Sequence, residues 1–272
     1  MPHPSVAEKR EAFHRLHRSG CFVIPNPWDV GSARYLQGLG FPALATTSSG
    51  FAWSQGRPDN QVSRDAVLEH LREIVSATDV PVNADFEGGF AVEPEHVAAN
   101  VARAAETGIA GLSIEDSTGD PDHPLFDEAL GVARIRAARA ALDRLGNGVV
   151  LTARSEGFVR NRPDFAATID RLTAYSKAGA DCLFAPGVRS REQFVAIVQA
   201  VAPKPVNVIG FPTCSAADLA DMGVRRISVG GSLARTAWAG FLAAARDVAQ
   251  RGSFDSFAAA VPPSEMNHLF ER

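Results

Sequence analysis

A basic excess is missing from this 272-residue chain: 27 lysines and arginines against 31 aspartates and glutamates leave a formal charge of -4. Without surplus cations to neutralise phosphates, nucleic acid is excluded as the expected partner, although a small anion needs only local positive charge. Cysteine is scarce too. Cys21, Cys182 and Cys214 form no metal-ligand spacing, and so small an odd set fits a reducing cytoplasm better than a disulfide framework. No apolar run approaches bilayer-spanning length, and the first ten residues hold no signal-peptide core. A cytoplasmic protein that leaves membranes alone is expected. No linker, repeat or low-complexity stretch divides the chain, so residues 1–272 are expected to form one domain, a size common for α/β barrels.

What is present is alternation. Apolar runs that read as strands fall at Phe22–Ile24, Ala43–Thr46, Val82–Phe86, Gly111–Glu115, Val149–Ala153, Cys182–Ala185, Val206–Ile209 and Arg226–Val229. Most are continuous rather than alternating, the pattern of strands buried on both faces. Between them, apolar spacing and cap residues predict helices over 28–39, 63–75, 95–107, 128–145, 165–177, 191–201, 216–222 and 236–250, with an extra helix over 5–18 ahead of the first strand. Eight strand–helix pairs are the count of a (β/α)8 TIM-type barrel. An open doubly wound sheet is the rival, but no G-x-G-x-x-G follows the first strand.

In such barrels the chemistry lies at the C-terminal ends of the strands. The third strand ends in Asp85-Phe-Glu87-Gly-Gly89, two carboxylates that an extended backbone would aim at one face. Their repulsion calls for a cation or a proton, and hard oxygen donors suit Mg2+. Other strand ends bring Trp28, the hydroxyl run Thr46–Gly50, Glu115-Asp116, Arg154, Glu156 and Asn207. Trp28 either lines the pocket or packs on the barrel, and Glu156 either pairs with Arg160 or takes part in catalysis. His70 and His96 read as surface residues on helices far from the mouth. Gly230-Gly-Ser232 has the look of a phosphate cradle, an idea given little weight.

Seven segments, Pro25–Ala33, Thr46–Gly50, Gly56–Asp59, Asn83–Gly89, Ile114–Asp116, Thr152–Glu156 and Ala178–Cys182, resemble in order and spacing the isocitrate lyase/phosphoenolpyruvate mutase superfamily. The resemblance implies the same barrel, Mg2+ (with Mn2+ as an alternative), and a homo-oligomer, tetramer or dimer, that swaps C-terminal helices. It further implies chemistry on small 2-oxo or 2-hydroxy acids through a pyruvate-type enolate. Carried over by position, Asp85 would bind the metal, with Asp59, Glu87 and Glu115 acting through its waters. Amides of Thr47, Ser48 and Ser49 would cradle a substrate carboxylate that Arg154 also binds. A guanidinium and a divalent cation would stabilise the charge that develops on an enolate.

One departure narrows the reaction. Isocitrate- and methylisocitrate-cleaving members carry a Lys-Lys/Arg-Cys-Gly-His loop after strand four, whereas Ser117–Phe126 here has neither cysteine nor lysine. The mutase-type loop lysine is missing as well. The expected activity is therefore C–C cleavage or decarboxylation of a small oxo acid, with Arg154, Glu115 and His123 as catalytic candidates. His123 is considered as a general acid on a lid or as an idle loop residue. A phosphoenolpyruvate mutase or phosphonopyruvate hydrolase-like enzyme and a non-catalytic carboxylate-binding homologue are the alternatives.

Overall fold

In the computed structural model, which describes residues 3–271, eight parallel strands form one sheet. These are β1 (Phe22–Ile24), β2 (Leu44–Ala45), β3 (Val82–Asp85), β4 (Gly111–Glu115), β5 (Val150–Arg154), β6 (Cys182–Phe184), β7 (Val206–Ile209) and β8 (Arg226–Ser228). Their order, β1-β8-β7-β6-β5-β4-β3-β2, curls the sheet into a nearly closed barrel, the TIM-type fold. The helices are α1 (Val6–Arg18), α2 (Val30–Gly38), α3 (Ser48–Ser54), α4 (Arg64–Ala77), α5 (Pro94–Ala105), α6 (Glu128–Leu145), α7 (Phe165–Lys177), α8 (Arg191–Val201), α9 (Ala216–Asp221), α10 (Ser232–Arg251) and α11 (Pro263–Phe270).

Each strand splits its residues between two environments. Outward positions such as Val82, Ala84, Leu112, Ile114, Leu151, Ala153, Leu183, Val206 and Ile227 pack against buried helix residues including Leu68, Leu71, Val97, Val101, Ile135, Leu172 and Phe194. Inward positions on the same strands are polar yet equally buried: Asn83, Ser113, Thr152, Asn207 and Arg226. The base of the barrel is plugged by Phe13 of α1, which joins Phe22, Ile24, Ala43, Ala45, Ala110 and Val150 in a second apolar cluster. α1 starts at Ser5, whose hydroxyl and Glu8 form a reciprocal capping box.

The ring of strands has a seam between β1 and β2, which share no ladder. One backbone bond spans it, from the Ala45 amide to the Pro25 carbonyl at 3.0 Å. Asn26 adds a second bond across it, its side-chain amide donating to the Thr46 carbonyl (2.8 Å), while its oxygen ties the end of β1 to β8 by accepting from the Val229 and Gly230 amides (2.8 and 2.9 Å).

Three departures from the sequence reading concern helices and one a histidine. The run Thr46–Gly50 leads into α3, capped by the Thr47 hydroxyl, rather than into a plain loop. α10 begins at Ser232, four residues before the expected start, and α11 and a 3-10 turn at Asp255–Ala259 follow it. His70 is not a surface residue. It is 4% exposed and stacks on Phe51 of α3 with ring centroids 3.9 Å apart, while His96 does lie exposed.

The burial of His70 has a measurable consequence. Its Nε2 has no hydrogen-bond partner, and burial pushes its pKa down to about 4, with Asp29 pulling weakly the other way. Because the folded value lies below the unfolded one, the unfolded chain takes up the proton first. The contribution is complete above about pH 6.5 and is lost towards pH 4, at about 1.4 kcal/mol per pH unit. Replacing His70 with Phe keeps the stacking and removes the orphaned nitrogen. Urea unfolding should show a gain of about 1 kcal/mol at pH 7 and a larger gain at pH 5.

Candidate active site

The inward residues at the C-terminal ends of the strands surround a cavity of about 280 Å³. Its lining includes Thr47, Ser48, Ser49, Asp59, Asp85, Glu115, Arg154 and Asn207 of the expected set. At its centre Arg154, from the end of β5, reaches three acids from different segments: Asp85 at 2.7 Å, Glu115 at 3.0 Å and Glu156 at 3.0 Å. Arg160 adds a second cation, 3.3 Å from Glu115. Burial opposes the Arg154 charge, but Glu156, Glu115 and Asp85 outweigh it and hold the guanidinium protonated. Only arginine offers this many fixed donors on one planar group.

The acids nevertheless exceed the cations. Burial, and then the charge of Glu156, raises Glu115 above the usual carboxyl range; burial also raises Glu156 against the pull of Arg154. Asp59 is largely exposed as a residue, yet its carboxyl sits within the mouth, where partial burial and then Asp85 push it up. Glu87 is pushed up to about 8 by burial, followed by the charges of Asp85 and Asp59.

The structure changes the reason why Asp85 and Glu87 share a site. β3 ends at Asp85, and Glu87 lies beyond it with φ of 48°, in the left-handed region rather than on an extended strand. A turn, not the strand period, brings its carboxyl near Asp85. Arg134 of α6 braces that turn from behind, donating to the carbonyls of Gly88, Ala91 (3.0 Å) and Glu115 (3.2 Å). A β-carbon on Gly88 would stand 3.3 Å from the Arg134 guanidinium, so the glycine admits the brace.

Asp85 is further fixed by the Ser48 amide, 3.0 Å from its Oδ2, while its own amide donates to the Thr46 hydroxyl at 2.9 Å. Of the expected amide cradle, the Ser48 donor is thus already engaged. Asp116 orients the opposite wall: its carboxylate accepts from the Glu156 amide (2.8 Å), the Tyr175 hydroxyl (2.9 Å) and Arg171 (3.2 Å). Glu156 pairs with both Arg154 and, more loosely at 3.9 Å, Arg160.

Trp28, Glu87 and His123 do not line the cavity, although Glu87 stays close enough to Asp85 and Asp59 to feel their charge. Trp28 is half-buried beside Gly50, whose β-carbon would lie 3.0 Å from the tryptophan's Cβ. His123 has an 87% exposed side chain, sits 3.5 Å from Asp120, and borders a separate groove with Leu125, Arg162 and Arg171. Arg134 and Arg226 have no site role in the sequence reading, and Asn26 enters it only as part of the Pro25–Ala33 segment. Nothing in the local pattern marks them, and only their position relative to other strands gives each a task.

A divalent cation fits this acid-rich mouth. Asp59, Asp85, Glu87, Glu115 and Glu156 outnumber Arg154 and Arg160, every donor is a hard oxygen, and several carboxyls are raised by burial and then by one another. Among the described residues no three potential ligands converge into a direct cage. That spacing suits Mg2+, which uses one or two carboxylates and keeps several waters.

Parallel barrel and acid-ringed mouth define a (β/α)8 protein with its site at the C-terminal strand ends. The family profile described as phosphoenolpyruvate phosphomutase matches residues 13–249, and the chain belongs to that family. A crystal structure from Burkholderia cenocepacia J2315, provisionally described as a lyase/mutase, is 46% identical, with a TM-score of 0.95 and 98% of each chain covered. Oxaloacetate decarboxylase of Rhodopseudomonas palustris (strain BisB5) is 30% identical over 79% of this chain and 74% of its own. Oxaloacetate acetylhydrolase, solved with its product oxalate, is 25% identical with a TM-score of 0.86, covering 98% of this chain and 95% of the other. The superfamily to which these relatives belong contains C–C lyases as well as the mutase.

Proposed function

We propose that residues 1–272 form one catalytic domain, a Mg2+-dependent lyase that cleaves a C–C bond of a small 2-oxo or 2-hydroxy acid through a pyruvate-type enolate. The observation that carries this reading is Arg154 held among Asp85, Glu115 and Glu156 on the wall of the mouth cavity. Bound Mg2+ would polarise the keto oxygen and offset the charge that grows there. Asp85 is the direct ligand in this reading, with Asp59, Glu87 and Glu115 reached through water. Arg154 binds the substrate carboxylate and stabilises the enolate, the amides of Thr47 and Ser49 cradle the same acid, and Asn207 borders the cavity from the opposite wall. The decarboxylase and acetylhydrolase relatives support a short oxo acid as substrate.

The test is a panel of 2-oxo and 2-hydroxy acids assayed for carbonyl products or CO2. Turnover should require Mg2+ or Mn2+ and stop with EDTA; unchanged turnover in EDTA would sink the reading. The name of the matching family favours C–P chemistry as a second reading. Phosphate or phosphoenolpyruvate released from phosphonopyruvate would establish it, and binding of the acids without any turnover would mark a non-catalytic homologue.

His123→Ala should change kcat by less than about threefold, because a general acid ordinarily contributes 10²–10⁴ and this side chain stands in solvent away from the cavity. The proposed homo-oligomer, dimer or tetramer with swapped C-terminal helices, is supported by α10, where Ala234 is the only buried residue and Trp238, Phe241 and Leu242 are open to solvent. No helix among the described residues is long and apolar enough to cross a membrane. A cytoplasmic location remains part of the proposal.

A further inference from the structure

Below the acids, the cavity reaches a guanidinium that no carboxylate accompanies. Arg226 lies at the first position of β8, is 3% exposed, and lines the same cavity. Its partners are all neutral: Asn207 Oδ1 at 2.8 Å, Thr152 Oγ1 at 2.9 Å, Asn83 Oδ1 at 3.5 Å and His17 Nε2 at 3.4 Å. Among the described residues no acid comes within ion-pair distance of it. Two nearby titratable groups leave the charge uncompensated. His17 donates from Nδ1 to the Phe13 carbonyl and turns its lone pair to Arg226, and burial together with that cation keeps it neutral down to about pH 3. Cys182 keeps its proton, since burial pushes the thiol up more than Arg226 lowers it.

A buried charge without an opposite one is strongly penalised, and barrel interiors are ordinarily filled with branched apolar side chains. The position of this one is informative. Asn83 and Thr152 precede Asp85 and Arg154 by two residues on β3 and β5, so Arg226 lies one inward step, about 7 Å, beneath the upper charges. That is roughly the reach of a short dicarboxylic acid that places one carboxylate at each level. Ala45, Ser113 and Ser228 are small, and they leave the path between the two levels open.

We propose that Arg226, positioned by Asn207 and Thr152, is a second anion subsite on the cavity floor that takes the distal carboxylate of a short dicarboxylic acid. The proposal rests on the lyase reading of the mouth and narrows its substrate class from oxo acids at large to dicarboxylates. It also assigns the neutral network around Arg226 a purpose: the amides and hydroxyl orient the guanidinium without spending its charge.

The test compares two ligands by calorimetry in the presence of Mg2+: oxalate, which is too short to span both levels, and 3,3-difluorooxaloacetate, which carries a distal carboxylate. In Arg226→Gln the difluoro acid should bind about tenfold more weakly or worse, while oxalate changes by less than about twofold. Equal losses for both ligands, or no loss for either, would overturn the subsite. A crystal structure of the unmutated protein with the difluoro acid gives an answer independent of how the variant folds. The distal carboxylate should lie within hydrogen-bond distance of Arg226, and a carboxylate turned towards solvent would overturn the proposal. If the unmutated protein binds neither ligand, the lyase reading fails and takes the subsite with it; retained oxalate binding isolates a failure of the floor alone.

Discussion

Asp85→Asn is expected to lower kcat/KM by at least about a thousandfold on any substrate that the oxo-acid panel identifies. The substitution preserves volume and keeps an oxygen for the Ser48 amide, which bonds Asp85 at 3.0 Å, so the entrance to α3 should stay in place. What is lost is the charge that would hold the cation directly. Circular dichroism should be unchanged; Mg2+ should raise the Tm of the parent protein, and in the variant that rise should be absent or need much higher Mg2+ concentrations. A D85N variant that retains both activity and Mg2+ response would remove Asp85 from the metal site.

Arg154→Gln should be the more destructive change for the fold. Arg154 is the common partner of Asp85, Glu115 and Glu156, and the last two are almost wholly buried. Removing one partner of a buried ion pair costs about 3–5 kcal/mol, chiefly because the remaining charge is left unpaired. Urea unfolding at pH 7 should show a loss of this size, together with a fall in turnover of at least about a hundredfold. The pH dependence has a definite sign. Acids left without Arg154 would have folded pKa values raised still further, and a raised carboxyl stabilises below its folded pKa and ceases to do so as pH rises through it. The deficit relative to the parent should therefore shrink on acidification and widen towards alkaline pH. Mg2+ should restore part of it if the freed acids bind the cation.

Much of this geometry is legible in the sequence, and what is not has a physical reason. Largely apolar runs mark all eight strands, with edges correct to within two residues, because outward and inward positions alike are buried. The same property hides the cavity. A strand buried on both faces does not show which of its polar residues are merely satisfied and which border empty space, so Arg226 passes as the first residue of a strand. α3 escapes because Thr, Ser and Gly compete with or weaken helix interiors, although Thr47 is a good cap. His70 reads as a surface residue because its helix presents a broader buried face than the apolar spacing implies; Val67, Leu68, Leu71, Ile74 and Val75 are buried with it. Asp85 and Glu87 stand out for an incomplete reason. Their two-residue spacing draws attention, but a left-handed turn braced by Arg134 brings the second acid back to the first.

The β1–β2 seam gives the mouth an uneven mechanical character. Seven of the junctions around the barrel are parallel ladders, whereas this one relies on a single backbone bond and one side-chain bond from Asn26. Any widening of the ring concentrates there, since no register has to slip. On one side of that slit stand the hydroxyls of Thr47 and Ser49, and on the other the glycines after β8, with Gly231 so near Ser49 that a β-carbon would come within 2.7 Å of its hydroxyl oxygen. Asp85 and Glu115, proposed to face the metal, lie on the ladder-bound arc of the barrel, while the groups proposed to meet the rim of the substrate lie at its seam. Asp85, Glu115 and Arg154 therefore have their spacing set by ladder hydrogen bonds of a kind that the β1–β2 seam lacks.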